Sequence, residues 1–433
     1  MKKAIALTFV FASLIGFAQT TQTMSSTKQK EAVHLNIKLE TDKIFDKLVE
    51  IRRKLHQNPE LAGKEKITQQ TLKSYLENLG LEVKTDIYGH GLVGILKGAK
   101  SGKNIAWRAD MDALPQDFPD RATFHSQING VQHGCGHDIH MAIALGIAEV
   151  LSKNKNKLSG SVAFIFQPEE ETFLGAKNMI EKGLFKYAKP SEIYGLHVTA
   201  LPVGQIMVKP NELFAYQKGF RIAMKNKLSK VEIQNLKTQI RNLLTRFPDG
   251  NKPWELQHII DPKHGLSTPN TIYKDYLFMD ERFFDYAKND TLYLEGELYE
   301  TNASSIPNIL PSIKKLISDS GYAFDLMNVS FTKENPTVLN NPQLTNEAIV
   351  ILDRIYGKGF TVNDYGYVPF FNDDFAYFQQ KVPGVYFLLG GSNFEKGMIA
   401  MNHAPNFEVD EECIRIGVKC FSSLIFERLL SVD

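Results

Sequence analysis

Short apolar runs of strand length alternate with helix-period segments along this chain, and that alternation restricts its fold more than any other feature. Leu92–Leu96, Asn104–Trp107, Ser161–Phe166 and Ile193–His197 read as buried strands. Helical spacing runs through Thr41–Leu55 (Ile44, Leu48, Ile51, Leu55), through Thr68–Leu79 ahead of Gly80, and through His140–Leu151. Strands alternating with helices predict an α/β fold, a central mixed sheet with helices on both faces.

From about Phe220 the texture changes. Phe220–Met224 reads as a strand, Val231–Phe247 as an amphipathic helix, Thr291–Tyr299 as the clearest of two further strands, Ile306–Ile317 as a helix and Phe324–Phe331 as extended. That order, β-α-β-β-α-β, predicts a ferredoxin-like α+β unit. After Pro336 the α/β texture resumes, with a helix near Asn346–Tyr356, a strand at Val385–Leu389 and a last helix, Asp410–Leu430, capped by Asp410. The expected organisation is a discontinuous catalytic domain, residues 30–215 and 337–433, with a smaller lid or dimerisation domain, 216–336, inserted in it. With 433 residues, the chain is long enough for two such cores. Its 50 basic and 49 acidic side chains leave no surplus to draw nucleic acid or an acidic membrane face.

Lys2 and Lys3 precede an apolar stretch, Ala4–Phe17, and Gly16 and Ala18 are small residues at cleavage-site spacing. The stretch is shorter than the ~20 residues that span a bilayer. Residues 1–18 therefore read as a signal peptide, and the mature protein is expected to be periplasmic or secreted, to open on a loose polar stretch (Gln19–Gln29) and to have no membrane span. Three cysteines are too few for a disulfide framework. Cys413 and Cys420, seven residues apart on one helix, would be roughly 10 Å apart, too far to bond. Cys135 has no evident partner, and a thiol in an oxidising compartment needs burial or a metal.

Four segments concentrate metal-capable side chains: Arg108-Ala-Asp-Met-Asp-Ala-Leu-Pro115, His133-Gly-Cys-Gly-His-Asp-Ile-His140, Phe166-Gln-Pro-Glu-Glu-Glu171 and Gly195-Leu-His-Val198. They read as lying beyond the carboxyl ends of the expected strands, where open α/β sheets gather ligands. Thiolate, imidazole and carboxylate together suit zinc or manganese.

With these segments goes Ile51-Arg-Arg-Lys-Leu-His-Gln-Asn-Pro-Glu-Leu61, and near the end come Asp373-Asp-Phe375, Val382-Pro-Gly384 and Asn402-His-Ala-Pro-Asn-Phe407. In this order and spacing the chain resembles the M20 family of metallopeptidases and amidohydrolases, in the branch of aminoacylases, hippurate hydrolases and indole-acetyl-amino-acid hydrolases. The resemblance implies a zinc-peptidase-like catalytic domain holding two divalent ions. Cys135 would bridge them, with His137 and Glu171 on one side and His197 and His403 completing the set. Glu170 matches the general base that takes a proton from a metal-activated water, and Asp112 and Asp110 would stand behind the ligands and orient them. Neighbouring side chains of an extended strand point to opposite sides, so Glu170 and Glu171 need a bend to face one site. Asp138 and His140 read as helix-cap or supporting residues.

The departures from the family pattern lie mainly in the insert. Met224-Lys-Asn-Lys-Leu-Ser-Lys-Val231 lacks the family's Gly-Lys-Gly-x-His segment, no Asn-x-Ile-Pro precedes Leu294, and Gly296-Glu-Leu-Tyr299 stands where the family has Gly-Thr-x-Arg. His258 and His264 in the insert read as exposed loop residues. The expected function is exported, metal-dependent hydrolysis of the amide bond of N-acyl amino acids or small peptides. Two alternatives stay open: a dipeptidase or carboxypeptidase-like exopeptidase, and a catalytically weak metal-binding scaffold with a repurposed lid. Relatives that pair through the insert make a homodimer a further expectation.

Overall fold

The computed structural model describes residues 4–119, 122–247, 252–253, 255–369 and 371–430, with side chains from Lys28 onward. The strands of the first part are β1 (Glu82–Lys84), β2 (Leu92–Lys97), β3 (Lys100–Asp110), β4 (Ser159–Gln167), β5 (Glu192–Pro202), β6 (Ile206–Met207) and β7 (Asn211–Glu212). Then come β8 (Tyr216–Lys225), β9 (Leu277–Lys288), β10 (Thr291–Glu300), β11 (Leu326–Lys333), β12 (Leu339–Asn340), β13 (Thr361–Val362) and β14 (Gly384–Ser392).

Eight strands form one mixed sheet in the order β1-β2-β4-β3-β5-β14-β6-β13. Its centre, β4-β3-β5-β14, is parallel, with Asp110 opposite Gln167 and Leu388 opposite His197. Parallel strands need covered faces, and both are covered. Helices Ala4–Gln57, His137–Lys153 and Glu412–Leu430 pack on one face, and the short helices Gly175–Glu181 and Phe375–Gln379 on the other. The helix His137–Lys153 is buried all round from His137 to Leu151, sandwiched between sheet and outer helices, which is why its apolar residues form no single stripe. Cys413 and Cys420 are buried in that layer, unbonded, and Asp410 Oδ1 accepts the Glu412 N–H at 3.0 Å at the start of the last helix.

A second sheet, β11-β8-β10-β9, is antiparallel throughout and has the strand order of a ferredoxin-like unit. Helices Lys230–Leu243 and Ile306–Ile317 cover one face, closing a core of Phe220, Ile222, Leu236, Leu294, Leu298 and Ile313. The connection into β9 joins the two units: Tyr367 N–H donates to Tyr273 O (2.8 Å), and Tyr276 Oη donates to Val368 O (3.2 Å).

The first helix corrects one expectation. It runs unbroken through Gln19–Gln29, where the sequence reading places a loose stretch. Between Gly16 and Pro59 there is neither glycine nor proline to stop it, and Gln, Lys, Glu and Ala propagate helix well. Of the expected signal peptide, residues 1–3 and every side chain to Ala18 lie outside the described residues. Among the described residues no helix is long and apolar enough to cross a membrane.

Candidate metal centre

Loops and strands at one edge of the first sheet deliver side chains to a single point. β3 ends at Asp110 with Asp112 two residues on, β4 ends ahead of Glu169–Glu171, and His197 stands on β5. The turn into the buried helix needs Gly136, which has φ +97° and where a Cβ would lie 2.3 Å from Val198 Cγ1. His403 enters from the last third of the chain in the left-handed region, φ +62°, a conformation that costs a non-glycine residue about 1–2 kcal/mol. It is held there by its own N–H to Gly134 O (2.9 Å), while Asn402 Nδ2 donates to Cys135 O (2.9 Å) and Val198 O (3.1 Å).

Cys135 is the common member. Its Sγ lies 3.4 Å from His197 Nε2 and 3.2 Å from His403 Nε2. His403 Nε2 is 3.2 Å from Glu171 Oε1, and His137 Nε2 is 3.9 Å from both Glu171 Oε1 and Glu170 Oε2. Two compact trios of donor atoms share the thiol, Cys135–His137–His197 and Cys135–Glu171–His403. A further group, His137–Glu170–Glu171, keeps His137 and Glu171 together as the resemblance implies, while His197 stands beside His137 and Glu171 also reaches His403.

These residues fit a pair of cations. His137 Nδ1 donates to Asp112 O (2.8 Å) and His197 Nδ1 to Val198 O (2.7 Å), so both rings turn an Nε2 lone pair inward. Among the described residues, His137 Nε2 is buried with no hydrogen-bond partner. Burial, with the charges of Glu171, Glu170 and Asp110, pushes the Cys135 thiol well up, so a thiolate here requires an adjacent cation. Burial opposes a charge on His137, yet Asp110, Asp112 and Glu171 push it up to about 10. The field that holds a proton there would hold a metal ion as well.

Behind the donors lies a supporting layer. Asp112 Oδ2 accepts the Glu171 N–H (3.0 Å) and its Oδ1 is 3.3 Å from His137 Nδ1. Asp110 Oδ1 accepts from His140 Nδ1 (2.6 Å), whose Nε2 in turn accepts the Val198 N–H (2.9 Å). His140 is therefore no cap: it braces β5 beside His197, ring centroids 4.5 Å apart. Asp138 is not one either. It pairs with Arg52 Nε (2.7 Å) and His56 Nδ1 (2.9 Å), tying the first helix to the buried one.

One network escapes the sequence reading. Arg108, wholly buried on β3, donates to Gln167 Oε1 (2.8 Å), Asp110 Oδ2 (2.6 Å) and Asp374 Oδ1 (3.0 Å), and Tyr386 Oη donates to Asp373 beside it. Glu170 Oε1 accepts the Asp374 N–H at 3.4 Å. Burial and the charges of Asp373, Glu171 and Asp374 push Glu170 well above the usual carboxylate range. Burial also pushes Asp374 up to about 8, Arg108 opposing and Asp373 reinforcing. The visible signal was the doublet Asp373-Asp374; nothing local announces Tyr386 as its partner.

In the second sheet the departures have structural roles. Ser229 and Glu232 form a capping box that starts the helix Lys230–Leu243, and Tyr299 is buried in a stack on Phe278, centroids 5.1 Å apart. His264 is exposed and His258 half-buried beside Glu255, 3.4 Å away.

The family model described as peptidase family M20/M25/M40 matches residues 106–427, a span that contains every donor above. The chain belongs to this family. Over 402 residues the M20 chain is 32% identical to thermostable carboxypeptidase 2 of Saccharolobus solfataricus, covering 88% of this chain and 95% of that one. It is 28% identical to the IAA-amino acid hydrolase ILR1-like 5 of Arabidopsis thaliana, covering 89% and 87%. Among solved structures, a Bacillus subtilis protein described as a dinuclear metal binding peptidase from the M20 family superposes with a TM-score of 0.71 at 26% identity, covering 90% of this chain and 99% of that one. The M20 chain is a metal-dependent hydrolase of the amidohydrolase and peptidase class.

Proposed function

We propose that this chain is an exported two-metal amidohydrolase that cleaves the amide bond of N-acyl amino acids or small peptides, with Glu170 as general base. The observation that carries the reading is the single thiol shared by two donor trios, with a proton-avid carboxylate facing the same histidine nitrogen. Cys135, His137 and His197 would hold one ion and Cys135, Glu171 and His403 the other, as zinc or manganese. When bound, such ions supply Lewis acidity, polarising an amide carbonyl and acidifying water.

The protein's own part is positioning and proton transfer. Glu170 turns Oε1 to the Asp374 N–H and leaves Oε2 facing His137, 3.9 Å from Nε2. From there it takes a proton from the attacking water and returns it to the departing amine nitrogen. Asp110, Asp373 and Asp374 share one guanidinium, that of Arg108, so negative charge remains beside Glu170 and raises its affinity for the proton it takes. Asp112 fixes the His137 ring and the Glu171 backbone together.

The likeness to a carboxypeptidase at 32% identity supports a second, exopeptidase reading of the same centre. Both are tested by assaying zinc- and manganese-loaded protein on a panel of N-acyl amino acids and dipeptides. Glu170→Gln should lower kcat by about 10²–10⁴-fold with metal content unchanged. Activity that survives this change sinks the assignment of the base; failure to cleave any panel member sinks the substrate class. Export belongs to the same proposal, and the mass of protein recovered outside the cytoplasm should place the mature N-terminus at Gln19. The open edge of β11, with Phe324 91% and Met327 60% exposed, supports pairing with a second copy.

A further inference from the structure

We infer that Glu65 is a positioning residue: its carboxylate sets the bend at Glu169 and thereby aims Glu170 and Glu171 into one site. The inference rests on the roles proposed for those two glutamates. β4 is extended to Gln167, and continued in that form it would send neighbouring side chains to opposite sides. It does not continue. Glu169 takes φ +56°, left-handed and strained for a residue with a side chain, and Phe173 N–H closes a turn on Glu170 O (2.8 Å). Something must hold that conformation.

The holder is Glu65. Its Oε1 accepts the Glu169 N–H and the Gly63 N–H, each at 3.0 Å, and the residue is fully buried. Glu65 occupies the N-cap position of the helix Lys66–Asn78, where a carboxylate ordinarily caps its own helix, yet its side chain makes no capping bond. Glu60 does that work, accepting the Ile67 N–H (3.1 Å) and the Thr68 N–H (2.8 Å), which releases Glu65 to reach across to the end of β4. The loop between them is shaped around the same bend: Gly63 has φ +76°, and a Cβ there would lie 3.0 Å from Glu169 Oε1. Glu60 O also accepts the Ala113 N–H (2.8 Å), joining the loop to the segment that carries Asp112. Residues 58–65, which contribute no donor to the centre, thus form its outer brace.

Three variants and three readouts test this. Glu65→Ala removes the acceptor, Glu65→Asp keeps the charge on a shorter arm, and Glu65→Gln keeps an oxygen that accepts both N–H groups. Hydrogen exchange at the Glu169 amide, zinc affinity in competition with a chelator, and kcat and KM on the best panel substrate are measured for each. In Glu65→Ala and Glu65→Asp the Glu169 amide should lose protection, zinc affinity should fall about 10–100-fold, and kcat should fall by a similar factor with KM nearly unchanged. Glu65→Gln should keep all three near wild type. If Glu65→Ala does not fold, Glu65→Asp carries the comparison. Wild-type protection and zinc affinity in the Asp variant, or a Gln variant as impaired as Asp, overturns the inference. Wild-type protein that binds no zinc sinks the functional reading instead, since amide protection at Glu169 is measured without reference to it.

Discussion

Replacing Arg108 by leucine should be among the most damaging single changes outside the donor set. The guanidinium is wholly buried and serves Asp110, Asp373, Asp374, Gln167 and Tyr386 at once, at 2.6–3.3 Å. Removing one partner of a buried ion pair costs about 3–5 kcal/mol, because the other charge stays buried and unpaired. Here three carboxylates lose the same counter-ion, which places Arg108→Leu near the upper end, about 5 kcal/mol. With an unfolding entropy of about 2.1 cal/mol/K per residue, a chain of this length should melt about 5–6 °C lower. The sign with pH follows from the carboxylates. Burial already pushes Asp374 up to about 8 with the arginine opposing, and its loss raises the group further. Below about pH 8 wild type holds the Asp374 proton as well, so the deficit stays nearly level there, and it grows as pH rises through 8, where wild type releases the proton and the variant keeps it. Thermal melts of wild type and variant at pH 6 and pH 9 measure this. A deficit under about 1 kcal/mol, or one no larger at pH 9, would refute the electrostatic account. Adding Asp374→Asn to the leucine variant should cost less than the sum of the two single changes.

Cys135→Ala should lower the metal bound per chain, measured by elemental mass spectrometry, and unchanged stoichiometry would end the bridging role. Gly136→Ala should destabilise by about 2–4 kcal/mol in urea unfolding, from a left-handed backbone and a methyl 2.3 Å from Val198 Cγ1; a loss under about 1 kcal/mol would contradict the packing. Glu427 is held down to about 2, burial opposing while His34, Lys30 and Arg354 prevail. A depressed carboxylate stabilises above its unfolded value of 4.5 and loses that effect as pH falls toward 2. With Lys30 and Arg354 partly exposed and screened, Glu427→Gln should cost about 1–2 kcal/mol at pH 7 and almost nothing near pH 2, and a gap independent of pH would count against the cluster.

Much of the centre is legible before folding because its donors lie in short segments tied to strand ends. Asp110, Glu170, Glu171 and His197 follow or sit on apolar runs whose direction places them at one sheet edge. His137 and Cys135 come with the glycines their turn requires. Local sequence does not reveal what Asp138 and His140 hold, because their partners, Arg52 and His56 in one case and Asp110 and Val198 in the other, are remote in sequence. The same distance hides the Tyr386–Asp373 contact and the reach of Glu65 to Glu169.

Local sequence alone determined the alternation of strand and helix, the ferredoxin-like order of the second sheet and the chemical character of the donor set, since periodicity and side-chain type need no distant partner. Only the tertiary structure decided which donors stand around Cys135, how both glutamates come to face one site and what balances the charge of Glu170. Those outcomes depend on distances of a few ångströms between segments up to hundreds of residues apart, where burial raises the electrostatic stakes and a single backbone bend turns both side chains inward.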